Sequence, residues 1–183
     1  MSTLCFVDTE TTGLDARIHQ PYEVCVWRDE PATAPQTWIL PHTLEHADQQ
    51  ALNVGRYMER GFWRWQGGDH DARANLAHIL NGVTLVGSNP AFDAAMLTRF
   101  IGAPVWHHRL INVAEGGMWV FGWDRPKGLA DVAATCREHG HEIPEPDHTA
   151  EGDVRTTRAV YYALRDIASV VHLDQRVGSE PTC

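Results

Sequence analysis

The chain has 183 residues, 43% of them hydrophobic and 21% charged, which suits one folded domain with a real core and excludes a disordered composition. Its 24 acidic residues outnumber 15 basic ones, for a formal net charge of −9. That excludes a long electrostatic groove for a polyanion; only a short footprint, or acids neutralised by metal, is compatible with nucleic acid.

Residues 4–7 form an apolar run fit for a strand buried on both faces, ending at the polar turn 8–13. Further strands are expected at 22–27 and 36–40, with Pro31 and Pro35 marking the loop between them. Helical patterns follow at 47–60 and 70–80, the second stopped by Gly82. Residues 83–86 read as another buried strand and 91–100 as a helix with Phe92, Met96 and Phe100 on one face. A fifth strand is expected within 105–113. Leu129, Val132, Ala133 and Cys136 make a helical stripe closed by Gly140, and a last helix begins near Glu151. Strands first, then alternating helix and strand, predict an α/β fold: a mixed sheet with helices on both faces.

The cysteines Cys5, Cys25, Cys136 and Cys183 form no CxxC pair and no zinc-ligand spacing. No stretch approaches the ~20 apolar residues of a membrane span, and no signal-peptide pattern is seen. Reduced thiols, a cytoplasmic location and no membrane partner are therefore expected.

Acidic residues gather at three places. Asp8 and Glu10 stand two apart after the first strand. In extended chain both point to one face, where they repel unless a cation lies between them. Oxygen-only ligands favour Mg²⁺ or Mn²⁺ over zinc. Taken alone, an Asp-x-Glu pair is common, and a solvated acidic turn is the better explanation of it. Asn89 and Asp93 flank a helix start, where capping and the helix dipole already explain them. Asp153 lies in the first turn of the last helix, near the stripe of Val160 and Leu164, where an acid is unusual unless something binds it. His148 precedes it in a loop, one of eleven histidines.

Taken together, Phe6-Val7-Asp8-Thr9-Glu10-Thr11-Thr12-Gly13-Leu14, Asn89-Pro90-Ala91-Phe92-Asp93 and His148-Thr149-Ala150-Glu151-Gly152-Asp153 resemble the three ordered motifs of the DnaQ-like DEDDh 3′→5′ exonucleases. The resemblance runs from about Leu4 to about Ala168. It implies a ribonuclease-H-like fold with a five-stranded sheet, an exonuclease domain over 1–172 and a loose tail over 173–183. It implies two divalent ions, Mg²⁺ or Mn²⁺. Asp8 would bridge both, Glu10 and Asp153 would complete one site, and Asp93 would serve the other. His148 would act as general base, since imidazole can take a proton at neutral pH. Thr11 would meet the terminal 3′-hydroxyl, Leu14 would wedge against the last bases, and Asn89 and Phe92 would line the nucleotide pocket. A core role explains Leu14 and Phe92 equally well.

The substrate implied is the 3′ end of single-stranded nucleic acid, DNA favoured and RNA open. The resemblance leaves a polymerase or a second copy of the chain open as partner. Asn112 stands where many relatives carry Asp, and 115–127, rich in Gly and Trp, is individual to this chain. A catalytically silent binding module should lack a ligand, whereas all five positions are filled. A Mg²⁺-dependent phosphohydrolase of small nucleotides explains the carboxylates but not the ordered histidine motif. The remaining histidines, including His42 with His46, His107 with His108, and His139 with His141, read as surface or capping residues. Arg56, Arg60, Arg64 and Arg73 read as a solvated face, and Trp63 and Trp65 as buried, although both sets have the chemistry to grip a strand.

Overall fold

The computed structural model describes residues 3–177. Its centre is one five-stranded sheet in the order β3-β2-β1-β4-β5. β1 (Leu4–Thr11) pairs antiparallel with β2 (Pro21–Arg28), which pairs antiparallel with β3 (Gln36–Ile39). On its other side β1 runs parallel to β4 (Thr84–Gly87), which runs parallel to β5 (Ile111–Asn112).

β1 does not end at Val7. Pairing with β2 continues through Asp8 opposite Cys25, Thr9 opposite Val24 and Glu10 opposite Glu23. The ladder therefore carries the expected polar turn into the strand, and the two-residue side-chain period persists through it. Cys5 and Val7 join Val24, Val26 and Leu85 in a core covered by α2 (Ala72–Ile79) and α3 (Pro90–Ile101). Phe6 and Cys25 face the opposite way. They pack with α4 (Val113–Phe121), α5 (Leu129–Glu138) and α6 (Ala150–Val177) through Val113, Val132, Cys136, Val154, Val160 and Leu164. Helices thus cover both faces of the sheet. The stripe of α6 is the one its sequence period predicts, and each fully buried aliphatic on it contributes about 1.5–3 kcal/mol.

Two further expectations are corrected, and the fifth strand falls within the expected 105–113. The helix expected over 47–60 shrinks to α1 (Gln49–Val54), because the chain turns at Gly55 and Arg56 adopts a left-handed φ of 49°. A small cluster of Tyr22, Leu52, Tyr57 and Phe62 holds this segment against the sheet. The fifth strand is only two residues long. Helix α6 continues to Val177, and the part of the expected tail beyond it lies outside the described residues.

Candidate metal centre

The alternation along β1 puts Asp8 and Glu10 on the face of Phe6, toward α6. Asp153 arrives from the first turn of α6, one residue before buried Val154. One carboxylate oxygen from each of Asp8, Glu10 and Asp153 lies within 4.8 Å of the other two.

The start of α6 is tied down at several atoms. The Thr149 hydroxyl accepts the Gly152 N–H at 3.0 Å, as an N-cap does, and the Ala150 N–H donates to Glu23 Oε2 at 3.3 Å. The Asp153 carboxylate accepts the Asp147 N–H at 3.1 Å. Asp147 in turn accepts the Thr149 hydroxyl at 2.7 Å. His148 sits in this loop with a left-handed φ of 57°, exposed, and its ring makes no hydrogen bond among the described residues. It lies close enough to Asp153 for its positive form to favour that carboxylate's ionisation.

Asp93 comes from the opposite side of the sheet. It is 3% exposed and accepts the Thr9 hydroxyl at 2.7 Å. It lies outside the three-carboxylate group but near enough to Asp8 to disfavour its charge. Asn89 heads α3 in a left-handed conformation and forms no side-chain cap; its N–H donates to Asn112 Oδ1 at 3.1 Å. Asn112 caps α4 by accepting the Ala114 N–H at 3.0 Å.

The electrostatics of this corner call for a cation. Burial, then Asp93, Asp153, Glu10 and Glu23, push the Asp8 carboxyl well above its ordinary range. Burial, then Glu23 and Asp153, push Glu10 up to about 8, against a lowering pull from Arg60. Burial lifts Asp93 to about 7, opposed by the Thr9 hydrogen bond, and raises Asp153. Four acids made reluctant to ionise in one corner fit a divalent ion that would stabilise their charged forms. The donors are all oxygens, which suits a hard cation.

Beside the carboxylates lies a cavity of about 250 Å³, lined by Thr9, Glu10, Thr11, Leu14, Phe92 and the α1 segment from Asp48 to Val54. Three of the four expected nucleotide contacts thus meet at one opening, and Asn89 is not among its lining residues. Leu14 is 79% exposed, so the core reading of this residue is set aside. The α1 wall was not foreseen.

Other residues depart from expectation. His42 is buried rather than superficial, bonded to Leu40 O at 2.7 Å and the Tyr57 hydroxyl at 2.6 Å. Arg60 is no solvated side chain but a two-pronged partner of Glu23. Trp63 and Trp65 are exposed. Among the described residues no histidine joins a group of possible metal ligands.

No protein-family model matches the chain, and no curated protein sequence matches it. Solved structures do. The chain is 15% identical to E. coli exonuclease I in complex with a dT13 oligonucleotide, over 98% of its own length and 44% of that chain, with a TM-score of 0.59. The fold is ribonuclease-H-like. A zinc-bound E. coli exonuclease I–single-stranded DNA complex is 17% identical, over 96% of this chain and 41% of that one, with a TM-score of 0.60. The dA16 complex gives 18%, 91%, 41% and 0.57 in the same order. The chain therefore spans about two fifths of the length of the exonuclease I chains it matches. No helix among the described residues is long and apolar enough to cross a membrane.

Proposed function

We propose that the chain is a DnaQ-like, DEDDh-type 3′→5′ exonuclease that hydrolyses the terminal phosphodiester of single-stranded nucleic acid, DNA in preference to RNA. The exonuclease domain would be residues 1–172. The observation that carries this reading is the convergence of Asp8, Glu10 and Asp153 within 4.8 Å beside a nucleotide-sized cavity. The exonuclease I neighbours, several solved with single-stranded oligonucleotides, support the substrate class.

Asp8, Glu10 and Asp153 would hold one divalent ion, and Asp8 with Asp93 a second. Bound there, such ions supply Lewis acidity to the phosphodiester and neutralise charge on the attacking and leaving oxygens. One neighbour is a zinc-bound form, but the all-oxygen donor set here favours Mg²⁺ or Mn²⁺.

The chain's own groups do the rest. His148, whose ring makes no hydrogen bond among the described residues and lies beside Asp153, takes the proton of the attacking water on an imidazole nitrogen. Thr11 and Phe92 line the cavity that takes the terminal nucleotide, and exposed Leu14 wedges against its base. Asn89, exposed at the head of α3, is the fourth candidate contact. All five catalytic residues come from one chain, so neither a polymerase nor a second copy is needed to complete the site.

The test is incubation of 5′-labelled single-stranded DNA and RNA with the protein and Mn²⁺ or Mg²⁺. A ladder shortening from the 3′ end, abolished by EDTA, supports the proposal. Intact strands under every metal condition refute it.

A further inference from the structure

We propose that Trp63 and Trp65, with Arg64 against the Trp63 ring, form a stacking platform for the nucleotides that follow the one in the cavity. The inference rests on the strand-end reading above and extends it from one nucleotide to a track. Indoles ordinarily bury most of their surface. Trp63 is 47% exposed and Trp65 61% exposed, although Phe62 beside them is buried.

The turn that displays them is anchored. The Phe62 ring packs 4.9 Å from Tyr22 and 5.8 Å from Tyr57, and the Arg60 guanidinium lies 4.6 Å from its centre. Arg60 grips Glu23, which stands opposite Glu10 in the strand register. The platform is therefore fixed relative to the catalytic carboxylates.

The same segment begins at the cavity. Val54 lines it, Gly55 packs against the Glu10 side chain, and Arg56 reaches the Asp147 carbonyl at 3.5 Å, next to His148. The exposed indoles come a few residues later. Among the described residues, Arg56 and Arg64 are in no ion pair, and the Arg64 guanidinium lies 4.7 Å from the Trp63 ring centre. Aromatic faces beside unpaired cations, on a chain of net charge −9, match a single strand, which offers both unstacked bases and phosphates. A duplex hides its base faces. An apolar protein partner would gain nothing from the unpaired arginines.

The test compares wild type with the Trp63→Ala/Trp65→Ala variant, and separately with Arg64→Gln. Cleavage of a trinucleotide and a dodecanucleotide of dT is followed with Mn²⁺, and anisotropy of the labelled dodecanucleotide is measured in EDTA. A trinucleotide offers the platform at most two nucleotides beyond the one in the cavity, whereas the dodecanucleotide offers a continuous strand. The ratio of kcat/KM for the long substrate over the short one should fall about tenfold in the double variant, through KM, and dodecanucleotide affinity should fall by a similar factor. A length preference and an affinity equal to wild type would overturn the platform and leave the indoles to a protein partner. If wild type cuts neither substrate, the exonuclease reading fails and the anisotropy alone decides the platform.

Discussion

Glu23 and Arg60 form a two-pronged ion pair, with nitrogen–oxygen distances of 2.6 and 2.8 Å, directly across the sheet register from Glu10. Glu23 is 5% exposed, and its second oxygen also accepts the Ala150 N–H at the start of α6. One buried carboxylate therefore links three elements: β2, the turn after α1, and the helix that carries Asp153. Removing Arg60 alone would strand a negative charge beside four others. Arg60→Leu should cost about 3 kcal/mol in urea denaturation, and the double variant Glu23→Leu/Arg60→Leu should cost less than the single one.

Gly55 has an ordinary φ of −76°, so its role is space rather than backbone freedom. A Cβ there would lie 2.0 Å from the Tyr22 hydroxyl and 2.7 Å from Glu10 Oε2. Gly55→Ala should therefore displace Glu10 and weaken both Mn²⁺ binding and cleavage. The Tyr22 hydroxyl is buried without a hydrogen-bond partner among the described residues. Tyr22→Phe alone should stabilise the fold by about 1 kcal/mol and, combined with Gly55→Ala, restore part of the lost activity. No recovery in the double variant would count against this packing account.

Without metal, the raised carboxyls make stability depend on pH in a defined direction. Glu10 rises from 4.5 to about 8 and Asp93 from 3.8 to about 7. The folded state holds protons that the unfolded chain has released, so their contribution is fully present below about pH 4 and is lost as pH rises toward 8. In EDTA the Tm should fall across that window, less steeply in Glu10→Gln. The Tm gain from Mn²⁺ should be larger at pH 8 than at pH 5, because bound metal displaces those protons. Equal slopes in wild type and Glu10→Gln would contradict the assignment.

His148 lies outside the three-carboxylate group. His148→Ala should lower kcat by about 10²–10⁴-fold while the Kd for Mn²⁺ stays near that of wild type. Parallel loss of metal binding, read by calorimetry, would make this residue a ligand rather than a base.

The two halves of the carboxylate cluster were legible as periodicities, while their convergence was implied only by the resemblance to the exonuclease motifs. Spacing two puts Asp8 and Glu10 on one side of a strand, and the helical repeat puts Asp153 beside Val160 and Leu164. Those rules hold even though the strand runs four residues beyond its apolar stretch. What was not legible depends on tertiary register. Nothing in the local pattern announces that Glu23 will stand opposite Glu10 or that Arg60 will reach back across 37 residues. Trp63 and Trp65 belong to a residue type that normally buries, and only the anchored turn around Phe62 keeps them outside. His42 took the reverse path: a histidine in a polar stretch became core because Leu40 O and the Tyr57 hydroxyl bond both its ring nitrogens.

The most direct test of the carboxylate centre is release of the 3′-terminal nucleotide by Asp8→Asn beside wild type, in Mn²⁺, with melting in EDTA as the fold control. Asp8 is repelled by every other acid of the site. The account predicts that Asp8→Asn loses cleavage by several orders of magnitude while its metal-free fold gains about 1 kcal/mol. Cleavage by a folded Asp8→Asn protein at the wild-type rate would contradict it.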